Sequence, residues 1–178
     1  MQLITPRLIL RDFLVSDFNA LRELEAHPDT YYFEQANPSE ETTRMQLEKM
    51  IEHQSISPRR YYRLAITIPP QNDVIGRITL AHTNESIREW EFGWAIHPQE
   101  WGKGYATEAA GHMMEFAFKE LGAHRIIAMC HELNEASVRV MEKLSMQQDR
   151  LLRETRWWHE EWHNELVYAI LHHEWKNE

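Results

Sequence analysis

The chain has 178 residues, 43% of them apolar, enough for one sizeable core and a single domain over 1–178. Its formal charge of −9, with a sequence pI near 5.7, repels nucleic acid and anionic membranes and favours cationic partners such as amines. Cys130 is the single cysteine, which excludes an intramolecular disulfide. "MQLITPRLILRDF" lacks a signal-peptide pattern, and no run nears the ~20 apolar residues of a membrane span, so a soluble cytoplasmic protein is expected.

In chain order, "RLILRDF" reads as a strand. "SDFNALRELEAH" reads as a helix, with Ser16 as N-cap and Pro28 just past its end. "SEETTRMQLEKMIEHQ" opens a second helix at Ser39, and the aromatic link between the two, "YYFEQ", is a candidate acceptor wall. His27 and His53 are expected to be solvated. "YYRLAITI" and "DVIGRITLAH" are strands parted by the turn "PPQN". "REWEFGWAIH" is a further strand in which Gly93 marks a bulge or a close approach.

A long helix follows from about Tyr105 to Leu121, stopped by Gly122. "HRIIAMCH" is a buried strand, and "NEASVRVMEKLSM" a helix capped by Asn134. This β-α-β-α alternation implies a parallel strand pair with a helical crossover. The tail "DRLLRETRWWHEEWHNELVYAILHHEW" fits helix and strand periods alike.

Chemistry concentrates in "HPQEWGKGYATEAA", where a strand ends, Gln99-x-x-Gly102-x-Gly104 follows, and a helix begins at once. Glycines there let backbone amides point outward at a helix N-terminus, an arrangement suited to a phosphate or pyrophosphate. A glycine turn that only packs strand against helix has the same pattern. "HEEWH", His159 to His163, matches the zinc-protease motif H-E-x-x-H, which has meaning only on a helix with a third ligand.

The loop Gln99 to Ala106 with Glu108-Ala109 resembles the acetyl-coenzyme A signature of the GNAT acetyltransferases, and more narrowly the RimJ/RimL-type branch. "TPRLILRDF", "DVIGRITL" and "NEASVRVMEKLSM" resemble further blocks of that branch, in order, from Thr5 to Trp175. The resemblance implies an α/β (α+β) fold: a mixed, mostly antiparallel sheet of about seven strands with about four helices. It makes acetyl-CoA the co-substrate, with no metal. It assigns the pyrophosphate to the backbone amides of Gly102, Lys103, Gly104, Tyr105 and Ala106, after Gln99. The pantetheine arm would pair with Ala95, Ile96 and His97, and Asn134 would reach the cofactor from the opposite wall.

Glu91, two residues before Gly93, stands where relatives often carry the general base; a solvated strand glutamate is the plain alternative. Met141 replaces the tyrosine that many GNAT enzymes use to protonate the thiolate, and the branch offers Ser137 instead, unless Ser137 only belongs to the Asn134 cap. Ser145-Met146 stands where Gly-Phe is usual, and His163-Asn164 where relatives often have an aspartate.

Under this resemblance "RETRWW" and "ELVYAILHHEW" are two antiparallel strands and "HEEWHN" their turn, which excludes the zinc reading. Trp90, Trp94 and Trp175 are expected beside the sheet. Trp157, Trp158 and Trp162 are expected to line an acceptor entrance or a homodimer contact. The implied activity is N-acetylation of a primary amine by direct attack, foremost a protein N-terminus of the ribosomal type. The alternatives are a small amine such as a polyamine, amino acid or drug, and a non-catalytic acyl-CoA-binding module.

Overall fold

The computed structural model describes residues 1–33 and 38–176. Strands β1 (Gln2–Ile4) and β2 (Ile9–Asp12) form a hairpin, followed by helices α1 (Phe18–Ala26) and α2 (Glu40–His53). Next come β3 (Tyr61–Ile68), β4 (Asp73–Asn84) and β5 (Glu89–Ile96), an antiparallel meander. Helix α3 (Tyr105–Lys119) crosses over to β6 (Arg125–His131), and α4 (Glu135–Lys143) leads into a last hairpin of β7 (Gln147–Trp158) and β8 (Glu161–Leu171). The strands form one eight-stranded sheet in the order β1-β2-β3-β4-β5-β6-β8-β7, parallel only between β5 and β6. The architecture is the expected one with an additional strand.

Alternation along β3 to β5 sends apolar side chains to both faces. Leu64, Ile66, Ile78 and Leu80 meet Met113 and Met114 of α3 on one face. Ala65, with Leu21 of α1 and Leu47 and Met50 of α2, builds a smaller core on the other. Each such fully buried Leu or Met contributes about 1.5–3 kcal/mol over leaving it exposed. Among the described residues no helix is long and apolar enough to cross a membrane.

Several local expectations hold, and two need correction. Ser39 caps α2, its Oγ accepting from the Thr42 N–H at 3.1 Å. Ser16 does not cap α1: it lies inside a 3-10 turn, Val15–Asp17, and the carboxylate of Asp17 accepts from the Leu14 N–H and from Arg11. His27 is only partly solvated: its side chain is 32% exposed and its ring packs edge-on against His97 at 5.4 Å. Gly93 marks a close approach, because a Cβ there would lie 2.6 Å from Thr79 Oγ1.

The tail resolves as strands. Residues His159 and Glu160, with φ of 48° and 63°, form the two-residue turn between Trp158 and Glu161. His163 lies in β8, so "HEEWH" is not helical and its two histidines share no helical face. After α4, Ser145 adopts φ 60°, a left-handed conformation that favours glycine. That conformation costs a non-glycine residue about 1–2 kcal/mol. Ser145→Gly is therefore expected to stabilise the fold by about 0.5–1 kcal/mol, read as a higher urea midpoint with unchanged slope.

Candidate functional site

Strands β5 and β6 are clamped at one end and part at the other. The Arg125 guanidinium at the start of β6 donates to Glu89 at 2.8 Å and to Asp149 of β7 at 2.9 Å. Pairing runs from Glu89↔Arg125 to Phe92↔Ala128 and then stops, although β5 continues to Ile96 and β6 to His131. The gap opens into a cleft of about 980 Å³.

Beyond Phe92 the β5 edge of this gap pairs with no strand among the described residues. The His97 N–H donates to Ile75 of β4, so by alternation Ala95 and His97 face β4 while Trp94 and Ile96 face the gap. The Ile96 carbonyl accepts from the Trp101 indole at 2.7 Å, which ties the next loop to the strand end.

That loop presents donors. Gly102 and Gly104 have φ of 76° and 81°, and Gly104 is the N-cap of α3. The N–H groups of Gly102, Lys103 and Gly104 meet no acceptor among the described residues, and those of Tyr105 and Ala106 open the first helical turn, where none has an intrahelical partner. Partial positive charge gathers at this end of α3.

The hairpin turn before β2 holds the loop in place. Arg7 donates to the Lys103 carbonyl at 2.9 Å and to Glu108 Oε2 at 2.6 Å, and Thr5 Oγ1 donates to Glu108 Oε1 at 2.6 Å. Burial pushes the Glu108 carboxyl up, but these hydrogen bonds outweigh it and hold the pKa below its ordinary value.

Glu91, Ala95, Ile96, Gly102, Gly104, Tyr105, Ala106, Asn134 and Ser137 all line the cleft; His97, Gln99 and Lys103 do not. Lys103 instead pairs with Glu100 at 2.8 Å. Asn134 Oδ1 accepts from the Ser137 N–H at 3.1 Å, so it caps α4 and fixes Ser137 on the wall opposite the glycine loop. Met141 is buried in the core. Glu91 is half-buried, and burial, then Glu165 and Glu89, raise its pKa.

Several cleft residues are not evident from sequence. The Leu133 N–H donates to His131 Nδ1 at 3.1 Å, which leaves the proton of the neutral ring on Nε2. His131 is buried, and burial followed by His163 lowers its pKa. Glu165 pairs with Arg156 at 3.0 Å. Cys130 is buried with its thiol pushed up to about 11, an inert core group. Arg77 reaches the cleft from β4. Each sits at an alternating strand position or a strand end, and only the register reveals which face it shares.

A strap closes the far side. Trp158 Nε1 donates to the Tyr32 carbonyl at 2.7 Å, and Phe33 stacks on His131 at 4.9 Å. Of the candidate wall "YYFEQ", Tyr32 and Phe33 line the cleft, while Glu34 and Gln35 fall outside the described residues. Trp157 and Trp162 pack edge to face at 5.1 Å and stay largely exposed. Asn164 donates to Glu132 through its N–H at 2.7 Å and Nδ2 at 2.9 Å.

Residues 7–147 match the family model described as Acetyltransferase (GNAT) domain. The chain belongs to the GNAT acetyltransferases. The uncharacterized N-acetyltransferase YnaD of Bacillus subtilis (strain 168) is 30% identical over 176 residues, 98% of this chain and 99% of YnaD. The GNAT-family acetyltransferase structure from Bacillus anthracis is 31% identical, with a TM-score of 0.84 over 98% of this chain and 100% of its own. A spermidine N-acetyltransferase from Vibrio cholerae, in complex with CoA and spermine, shares the fold at 22% identity, with a TM-score of 0.82 over 96% of this chain and 98% of that one. This GNAT chain is thus an N-acetyltransferase by family, with the glycine loop and Glu91 both lining the cleft at which its sheet opens.

Proposed function

We propose that this GNAT enzyme transfers acetyl from acetyl-CoA to a small primary amine by direct attack in a ternary complex. One observation carries the reading: unpartnered loop amides at the α3 N-terminus, an unpaired β5 edge and the half-buried Glu91 line a single cleft. The cleft residues fit acetyl-CoA, since left-handed glycines without Cβ atoms let a pyrophosphate approach the amides of Gly102 to Ala106. The gap-facing backbone of Trp94 and Ile96 suits the pantetheine arm, a shift of one residue within the segment expected from sequence.

When bound, acetyl-CoA supplies the activated acyl group. Glu91 takes the proton from the attacking ammonium, directly or through one water, and its raised pKa makes it a better base than an ordinary carboxylate. The Ser137 hydroxyl, fixed by the Asn134 cap, donates to the leaving sulfur. Between the protein N-terminus and the small amine as acceptor, the strap from Trp158 to Tyr32 and from Phe33 to His131 favours the slender one. A cytoplasmic setting belongs to the same proposal, consistent with the lone thiol of Cys130.

Initial rates of CoA release, with acetyl-CoA and amine both varied, test direct attack. Intersecting double-reciprocal lines are expected; parallel lines would mean an acyl-enzyme and contradict it. Binding of acetyl-CoA without acylation of any amine would instead favour a binding module.

A further inference from the structure

On the sheet face that carries Glu91, two arginines stand together with little to satisfy them. Register places Arg63 of β3 opposite Thr79 and Arg77 of β4 opposite Ala95, both on the face shared by Glu91 and Gly93. The Nε of each guanidinium is buried without a hydrogen-bond partner among the described residues. One buried carboxylate faces them: Glu25 Oε1 lies 3.9 Å from Arg77 Nε, beyond hydrogen-bond reach, while Oε2 accepts from Thr43 at 2.8 Å.

Thr30 Oγ1, also buried and unpartnered, lies at the same end, where Thr30, Asp29 and Arg77 line the cleft. The Asp29 carboxylate is largely exposed and turns towards His27, at 3.8 Å. Among the described residues, two guanidiniums stand against one buried carboxylate, which leaves a positive charge beside the cleft in a protein whose formal net charge is −9. Burial, and then Arg77, lower the Arg63 pKa, and the opposing pull of Glu25 does not offset them.

Buried charges are ordinarily paired and hydrogen-bonded, and guanidinium forks match carboxylates in shape. We infer that Arg77 and Thr30, which line the cleft, form an anion subsite backed by the charge of Arg63 behind them, and that the acceptor is a small amine carrying a carboxylate several carbons from its nitrogen. This rests on the transferase reading above and narrows its substrate class. The α-carbons of Glu91 and Ala95 are about 13 Å apart along β5. Side chains at both ends shorten that span, so the amine lies at Glu91 while the carboxylate reaches Arg77. The same pair of cations repels the second ammonium of a diamine.

Matched amines decide it. With purified enzyme and saturating acetyl-CoA, kcat/KM is compared for lysine against cadaverine and for 6-aminohexanoate against pentylamine, pairs that differ only in the carboxylate. The carboxylated member is expected to be favoured at least about tenfold, the effect of a charged hydrogen bond, and Arg63→Gln or Arg77→Gln should erase that preference. It should also raise the melting temperature of the CoA-bound enzyme where its partner does not. Retained stabilisation by acetyl-CoA shows that each variant is folded.

Equal rates within a pair, a preference for cadaverine, or a carboxylate preference that survives both substitutions overturns the subsite. So does the lack of both turnover and stabilisation by the carboxylated amines while acetyl-CoA still binds. Failure of acetyl-CoA itself to bind the wild type strikes the transferase reading instead.

Discussion

Glu91→Gln is expected to lower kcat by about 10²–10⁴-fold, the usual loss when a positioned general base is removed. The substitution keeps shape and hydrogen-bonding capacity but cannot take a proton. Burial, then Glu165 and Glu89, raise the wild-type carboxyl above its ordinary value of 4.5. The acid limb of the kcat–pH profile should therefore lie above that value and vanish in the variant.

Stability moves the other way, which separates catalysis from folding. A carboxyl whose pKa is raised by folding contributes stability below its unfolded pKa and loses it as pH rises through the folded pKa. At neutral pH the charged Glu91 is thus a burden, and Glu91→Gln should melt no lower than the wild type. An inactive variant that also melts well below the wild type at pH 7 would mean a structural glutamate.

Gly104→Val is expected to remove measurable acetyl-CoA binding while leaving most of the fold intact. At φ 81° a β-branched residue is strained, by about 1–3 kcal/mol, and its side chain stands beside the amides that face the pyrophosphate. The new Cβ would sit 3.4 Å from Arg7 Nη2, an ordinary contact, so the brace from Arg7 to the Lys103 carbonyl and Glu108 is expected to hold. Acetyl-CoA titration by calorimetry, with circular dichroism as the folding control, reads both effects. Wild-type affinity in this variant would remove the glycine loop from the cofactor site.

Much of this fold is legible in the sequence. Strong periodicity and sharp punctuation placed α2, α3 and β3 to β6, because Ser39, Gly122 and "PPQN" act within a few residues of themselves. The β7–β8 hairpin was not legible by period, since Trp158, Trp162, Leu166 and Ile170 keep helical spacing inside strands. Its turn uses His159 and Glu160 rather than the Asn-Gly that would announce it.

The glycine loop and Glu91 were readable because they are local in sequence. Arg63 and Arg77 come from two strands, Glu25 from α1 and Thr30 from the loop after it, so only strand register and helix packing bring them together. In "YYRLAITI" and "VIGRITL" each arginine looks like an ordinary solvent-facing alternation. His131 likewise reads as a strand end until Phe33 stacks on it.

Acetyl-CoA entering the gap between β5 and β6 is the central claim. Thermal unfolding in buffer containing a chelator, with and without acetyl-CoA, measures that. At 100 times its dissociation constant the ligand should stabilise the wild type by about 2.7 kcal/mol, a rise of several degrees, and Gly104→Val should show none. No shift in the wild type, or the same shift in both proteins, would contradict a cofactor site built on that loop.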